Sequence, residues 1–281
     1  MNKKRMVATV FAVIALVGLI ASPVFAITYF PPTTGFEDDD IEFFIDTNQN
    51  GIVDVGDRLV GVAEFFVTHS IPPGSSAPIA PEELTAVFDL TVAPGSVGGS
   101  FIFTPTNVTG VEGELAGRPA GTAVTLYLDS ANDLDVVDEN CTSLANCVDL
   151  ANNGAIFFDA GFYGDPDAFW NANSTTNDPD LVQAGLATQS FGVYNFCLNV
   201  QNNNTGQTLG LQPCSGGPGG DGQTQIGGGG VIKGGQGLES GAFARSDNDF
   251  QITSVPEPST LLLLGVGLIG VTFMSRRRVK K

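Results

Sequence analysis

The stretch Asp46–Asp57 reads DTNQNGIVDVGD, and its residue types and spacing suit one kind of chemistry. Counted from Asp46, oxygen-bearing side chains fall at positions one (Asp46), three (Asn48), five (Asn50), nine (Asp54) and twelve (Asp57). Gly51 stands at six, where the chain must turn sharply, and the Ile52 carbonyl at seven adds a backbone oxygen. Alternating oxygens of this kind converge on one hard cation, and calcium is the expected occupant. The competing reading is an Asx-rich turn that needs no metal. A fainter echo follows at Asp129–Asp138, where Asp129, Asp133, Asp135 and Asp138 form a second, weaker candidate cation site. It lacks the glycine and is two residues shorter.

The Asp46–Asp57 pattern resembles the EF-hand-type loop, and more closely its dockerin variant, in which Asp can occupy position twelve. Asn at positions three and five lowers the ligand charge, and Asp57 is shorter than the usual Glu. The flanks, IEFFI and RLVGVAEFF, read as strands, so a strand–loop–strand hairpin is expected in place of paired helices.

The elements that must position these residues are β-like. Apolar or alternating runs recur at 41–45, 59–67, 84–92, 100–104, 123–128, 155–158, 190–200 and 250–253. Gly- and Pro-rich turns such as IPPGSSAP and AGRPAG separate them. The pattern predicts one all-β domain over 27–254, an antiparallel β-sandwich or jelly roll. Glu82-Glu83-Leu84 after Pro81 is the only candidate helix start. Residues 215–241 are dominated by glycine and are expected to form a loop.

Residues 27–254 carry four basic side chains, Arg58, Arg118, Lys233 and Arg245, against twenty-nine acidic ones, a formal charge of −25. Such a body repels nucleic acid and anionic membrane and invites cations. Its four cysteines, Cys141, Cys147, Cys197 and Cys214, are an even set. Three connectivities are open, and nearest-neighbour pairing is expected in an exported protein.

Both termini are of another kind. Lys3, Lys4 and Arg5 precede the apolar run Val7–Ile20, and Val24-Phe25-Ala26 suits a signal peptidase. Cleavage after Ala26 is expected, with an uncleaved anchor as the alternative. Near the other end, Pro256-Glu257-Pro258 precedes the uncharged run Ser259–Met274 and the cluster Arg276, Arg277, Arg278, Lys280 and Lys281. Sixteen residues of helix rise about 24 Å, a short transmembrane span held on the cytoplasmic side by its basic tip. Triplet, span and basic tip in this order resemble the PEP-CTERM sorting signal of exported Gram-negative proteins. The resemblance covers 255–281 and implies recognition of Pro256, Glu257 and Pro258 by a membrane-embedded exosortase. It also implies an inner-membrane intermediate, a final place at the cell surface or extracellular matrix, and an association with exopolysaccharide and biofilm.

The activity of the body is less legible. His69 is the only histidine, and no nucleophile-elbow, zinc-protease or phosphate-loop motif is present in the sequence. A structural, non-enzymatic role is expected. The alternatives are an exopolysaccharide-binding module, with Tyr163 and Trp170 as candidate glycan contacts, and a carboxylate-pair glycoside hydrolase.

Overall fold

The computed structural model describes residues 27–138, 140–214 and 222–255. The expected signal peptide (1–26) and the sorting segment from Pro256 onward, with its span 259–274, lie outside them. Among the described residues no helix is long and apolar enough to cross a membrane.

All eight apolar runs form strands. In chain order these are β1 (Thr33–Ile45), β2 (Arg58–Ile71), β3 (Ser76–Pro78), β4 (Glu83–Val92), β5 (Ser100–Pro105), β6 (Thr122–Asp129) and β7 (Ala155–Gly161). There follow β8 (Phe169–Ser174), β9 (Ser190–Asn203), β10 (Thr208–Gly210), β11 (Gln212–Pro213), β12 (Gln223–Thr224), β13 (Ile226–Gly234) and β14 (Ala244–Val255). Two short helices interrupt them, α1 (Leu144–Ala151) and α2 (Pro179–Ala184).

The strands pair antiparallel, and the ladder closes on itself in the order β2–β1–β14–β13–β9–β7–β6–β4–β2. β7 and β8 share one edge of β9, and β6 and β5 share one edge of β4. β5 pairs with β8 and completes that wall. The all-β antiparallel body is therefore as expected, with its sheet edges joined into a closed barrel. Closure leaves few backbone donors and acceptors unpaired.

Two layers of core explain why strands such as LTAVFDLTV are buried almost throughout. One face of the wall packs an aromatic cluster that includes Phe36, Phe65, Phe88, Trp170, Phe196 and Phe250. Phe36 stacks on Phe250 with ring centroids 4.5 Å apart. The other face carries Ile41, Phe43, Val60, Val62 and Val87, covered by Leu134, Val136, Val148 and Ala151. This covering segment is pinned by the Cys141–Cys147 disulfide, and Cys197–Cys214 is the second bridge, so nearest-neighbour pairing is correct.

Two expectations need correction. Glu83 and Leu84 open β4 and do not start a helix; among the described residues the helices are α1 and α2. α1 is eight residues long, starts on the Ser143 side-chain cap and buries Cys147, Val148 and Ala151. A helix this short depends on tertiary packing, which periodicity does not reveal.

The glycine-rich stretch 215–241 is not simply a loop, because its IGGGGVIKG portion is β13, paired on both edges between β9 and β14. A Cβ at Gly229 would lie 2.5 Å from the Tyr194 carbonyl oxygen, and one at Gly230 would lie 2.2 Å from that of Asp247. The neighbouring backbones leave no room for side chains there, so glycine is required by space. Gly227 differs, since its Cβ would meet only Gln212 Nε2 at 3.7 Å. Gly230→Ala is therefore expected to cost about 3 kcal/mol in denaturant titrations. Gly227→Ala should be neutral, or stabilising by roughly 0.4–1 kcal/mol through the unfolded chain. Equal midpoints for the two variants would contradict this account of the strand.

Candidate functional site

The last β1–β2 pair is Ile45 with Arg58, so Asp46–Asp57 is the connection of this hairpin. Asp57 is fully buried and forms its base. Asp57 Oδ1 accepts from the backbone N–H and the hydroxyl of Thr47, both at 2.9 Å, and Oδ2 accepts from Asp54 N–H at 2.8 Å. Asp46 holds the turn, its Oδ2 accepting from Gly51 N–H at 2.7 Å and its Oδ1 from Gln49 N–H at 2.6 Å. These donors, Gly51 foremost, hold the Asp46 carboxyl below its usual range. Gly51 has φ 77°, the left-handed conformation that glycine allows at position six.

Three side chains converge within the loop. Asn48 Nδ2 donates to Asp54 Oδ1 at 2.8 Å, and Asn50 Nδ2 donates to Asp54 Oδ2 at 2.6 Å. The Asn50 carbonyl oxygen in turn accepts from Ile52 N–H at 2.8 Å. Turning the two amides over would present oxygens where nitrogens now stand, leaving an all-oxygen set around Asp54. Val53 packs against the aromatic cluster, and its N–H donates to the Asn177 carbonyl at 2.7 Å. The loop is thereby fastened to the segment that leads into α2.

The second candidate site is regrouped by the fold. Oxygens of Glu83, Asp129 and Asp133 all lie within 4.8 Å of one another. Glu83 is 2% exposed and accepts from Leu134 N–H at 2.9 Å and Asp133 N–H at 3.3 Å. Burial raises its carboxyl to about 7 against these donors. Asp135 and Asp138 do not join the cluster: Asp135 Oδ1 accepts from Asp138 N–H at 2.7 Å in a turn of their own. Sequence reasoning missed Glu83, whose only signal is an acid placed beside apolar neighbours at the start of a strand. Glu64 acts similarly, accepting from Val136 N–H at 3.1 Å, and burial raises it to about 7.

Trp170 is only 5% exposed and stacks on Phe196 at 4.5 Å, so it offers no outward ring face for a glycan. The cause is its register on β8, opposite Phe196 and Phe103. Tyr163 is half-buried with φ 48°, and its hydroxyl lies 3.0 Å from that of Thr122. His69 Nδ1 lies 3.3 Å from Glu37.

Val255 ends β14, paired with Thr208, and Pro256, Glu257 and Pro258 follow immediately. Residues 254–278 match the family model described as the PEP-CTERM protein-sorting motif. No curated protein and no solved structure matches the chain. The chain thus carries the PEP-CTERM protein-sorting motif, the mark of an exported protein that exosortase processes from a membrane-anchored precursor.

Proposed function

We propose that residues 27–255 form a calcium-stabilised, non-catalytic β-barrel that is sorted to the cell surface or extracellular matrix of a Gram-negative bacterium. Its role there is structural, within the exopolysaccharide or biofilm matrix. The observation that supports this reading is the gathering of Asn48, Asn50 and Asp54 in one turn, within a body of formal charge −25. Calcium would replace the amide–carboxylate bonds, neutralise Asp54 and fix a connection whose ordering otherwise costs entropy. The Glu83–Asp129–Asp133 cluster is a second place where a cation relieves carboxylate repulsion.

The barrel has a polarity that fits this role. Thr33 of β1 pairs with Thr253 near the sorting triplet, and Ile45 at the other end of β1 leads into the loop. At about 3.3 Å per residue the strand separates the two by roughly 40 Å. The loop therefore stands at the end of β1 opposite the one paired beside the sorting triplet.

In the full chain held in non-ionic detergent, calcium at a hundred times its Kd is expected to add about 2.7 kcal/mol of stability, or roughly 5–10 °C in Tm. Asp54→Ala should abolish most of that gain with little change in the melting point under chelation. An undiminished calcium response in this variant would remove the loop from the account. Replacing Pro256, Glu257 and Pro258 with Ala in a host with exosortase should leave the chain in the inner-membrane fraction as uncleaved precursor. Release at the unmodified rate would contradict the assigned recognition element.

A further inference from the structure

The barrel contains a cavity of about 60 Å³ beside the loop end of β1. Six rings, Phe44, Phe101, Phe103, Trp170, Tyr194 and Phe243, line it together with the aliphatic Val53, Leu59, Val182 and Ile232. Glu42 is the buried carboxyl among them, 4% exposed, with Oε1 accepting from the Ser246 hydroxyl at 2.5 Å. One step along the same face of β1 lies Asp40, 2% exposed, which accepts from the Tyr194 hydroxyl through Oδ2 at 3.3 Å. Asp40 Oδ1 is buried and has no hydrogen-bond partner among the described residues. None of the four basic residues of 27–254 lines the cavity. Half-exposed Val53, Leu59 and Thr176, with exposed Asn177, mark where it meets solvent.

Each feature selects for the same ligand charge. Aromatic faces are negative and attract cations, most strongly where water is excluded. A buried carboxylate without a cationic partner is costly, and a second one beside it adds repulsion. An anion or a strong acceptor would meet rings and carboxylates, with no donor strong enough to receive it. A neutral apolar molecule would leave the carboxyls uncompensated. The small volume admits a head group only, with any longer body running out past Val53 and Asn177.

We propose that this cavity is a binding site for the ammonium end of a small aliphatic amine, enclosed by the ring walls and neutralised by Glu42 with Asp40 behind it. This goes beyond the structural role of the barrel and does not depend on its calcium loop. Glu42 must be ionised to act fully, and burial has pushed it up to about 7. The groups that face it are Asp40 and Asp38 along β1, Tyr194 from β9, the Ser246 hydroxyl from β14, and Asp178 at the cap of α2. All of the titratable ones are acids, so each ionisation with rising pH favours a bound cation.

Trp170 is the only tryptophan of the chain and lines the cavity, so its fluorescence reports occupancy directly. The experiment titrates the full chain in non-ionic detergent with n-butylammonium and, in parallel, with n-butanol as the neutral isostere. The expected result is a saturable change in Trp170 emission with the amine, tighter at pH 8 than at pH 6. The alcohol and the Glu42→Gln variant should each bind at least about tenfold more weakly. Equal affinity for amine and alcohol would overturn the proposal, as would the absence of any saturable change. Binding in Glu42→Gln at the unmodified affinity would place the amine elsewhere and overturn it as well. Should that variant fail to fold, the pH dependence and the alcohol comparison in the unsubstituted chain decide the matter alone.

Discussion

Asp38, Asp40 and Glu42 are all buried along one face of β1, and among the described residues no lysine or arginine is bonded to them. Burial foremost raises all three carboxyls, with repulsion between neighbours adding to the rise at Asp38 and Asp40. An acid that cannot find a cation inside a protein must find donors or keep its proton. Asp38 finds Asn248, whose backbone N–H and side-chain amide both donate to it, and Glu42 finds Ser246. The shortage that sets these terms is general across residues 27–254, four basic side chains for twenty-nine acids.

Other parts of the fold meet the same shortage with backbone N–H groups. Glu83 takes the N–H groups of Asp133 and Leu134 and Glu64 takes that of Val136, and together they seat the segment that covers the outer core. Asp57 and Asp46 take those of their own loop. Where a cation is present it is used fully: Arg58 donates through Nε and Nη2 to the fully buried Asp89. Carboxylates thus serve as structural acceptors throughout the barrel, and added cations would act on groups already in place. The proposed calcium loop and the proposed amine cavity both draw on that state, and Val53 belongs to the first and lines the second.

How much of this was legible in the sequence depended on whether the cause was local. Strand alternation is a local signal, and IEFFI, SFIFT and AVTLYL gave strands where expected. The loop spacing is local too, and it located the hairpin connection and the convergence of Asn48, Asn50 and Asp54. Glu83 joins Asp129 and Asp133 only because β4 pairs with β6, through Glu83 with Asp129, a contact that spacing along the chain does not encode. Trp170 lies in a polar stretch that leaves a glycan contact and a core ring both open, and its register against Phe196 places it in the core. Composition misled most at β13, because four successive glycines are the usual mark of a loop. Here three of them, Gly228, Gly229 and Gly230, are the residues that fit between two closely approaching strands.

The central claim is that uncompensated buried carboxyls set the stability of this barrel, and its dependence on pH tests that most directly. Glu42 and Glu64 are raised from 4.5 to about 7 in the folded state. The native chain therefore holds more protons than the unfolded one between these values, and stability falls as pH rises through that window. The measurement is denaturant stability from pH 5 to pH 8, first under chelation and then in saturating calcium. Greatest stability is expected near pH 5 under chelation, with a steady loss toward pH 8, and a calcium gain that grows toward pH 8 because Glu83, gathered with Asp129 and Asp133, is also raised to about 7. Stability that rises with pH under chelation, with no added gain from calcium, would contradict the claim.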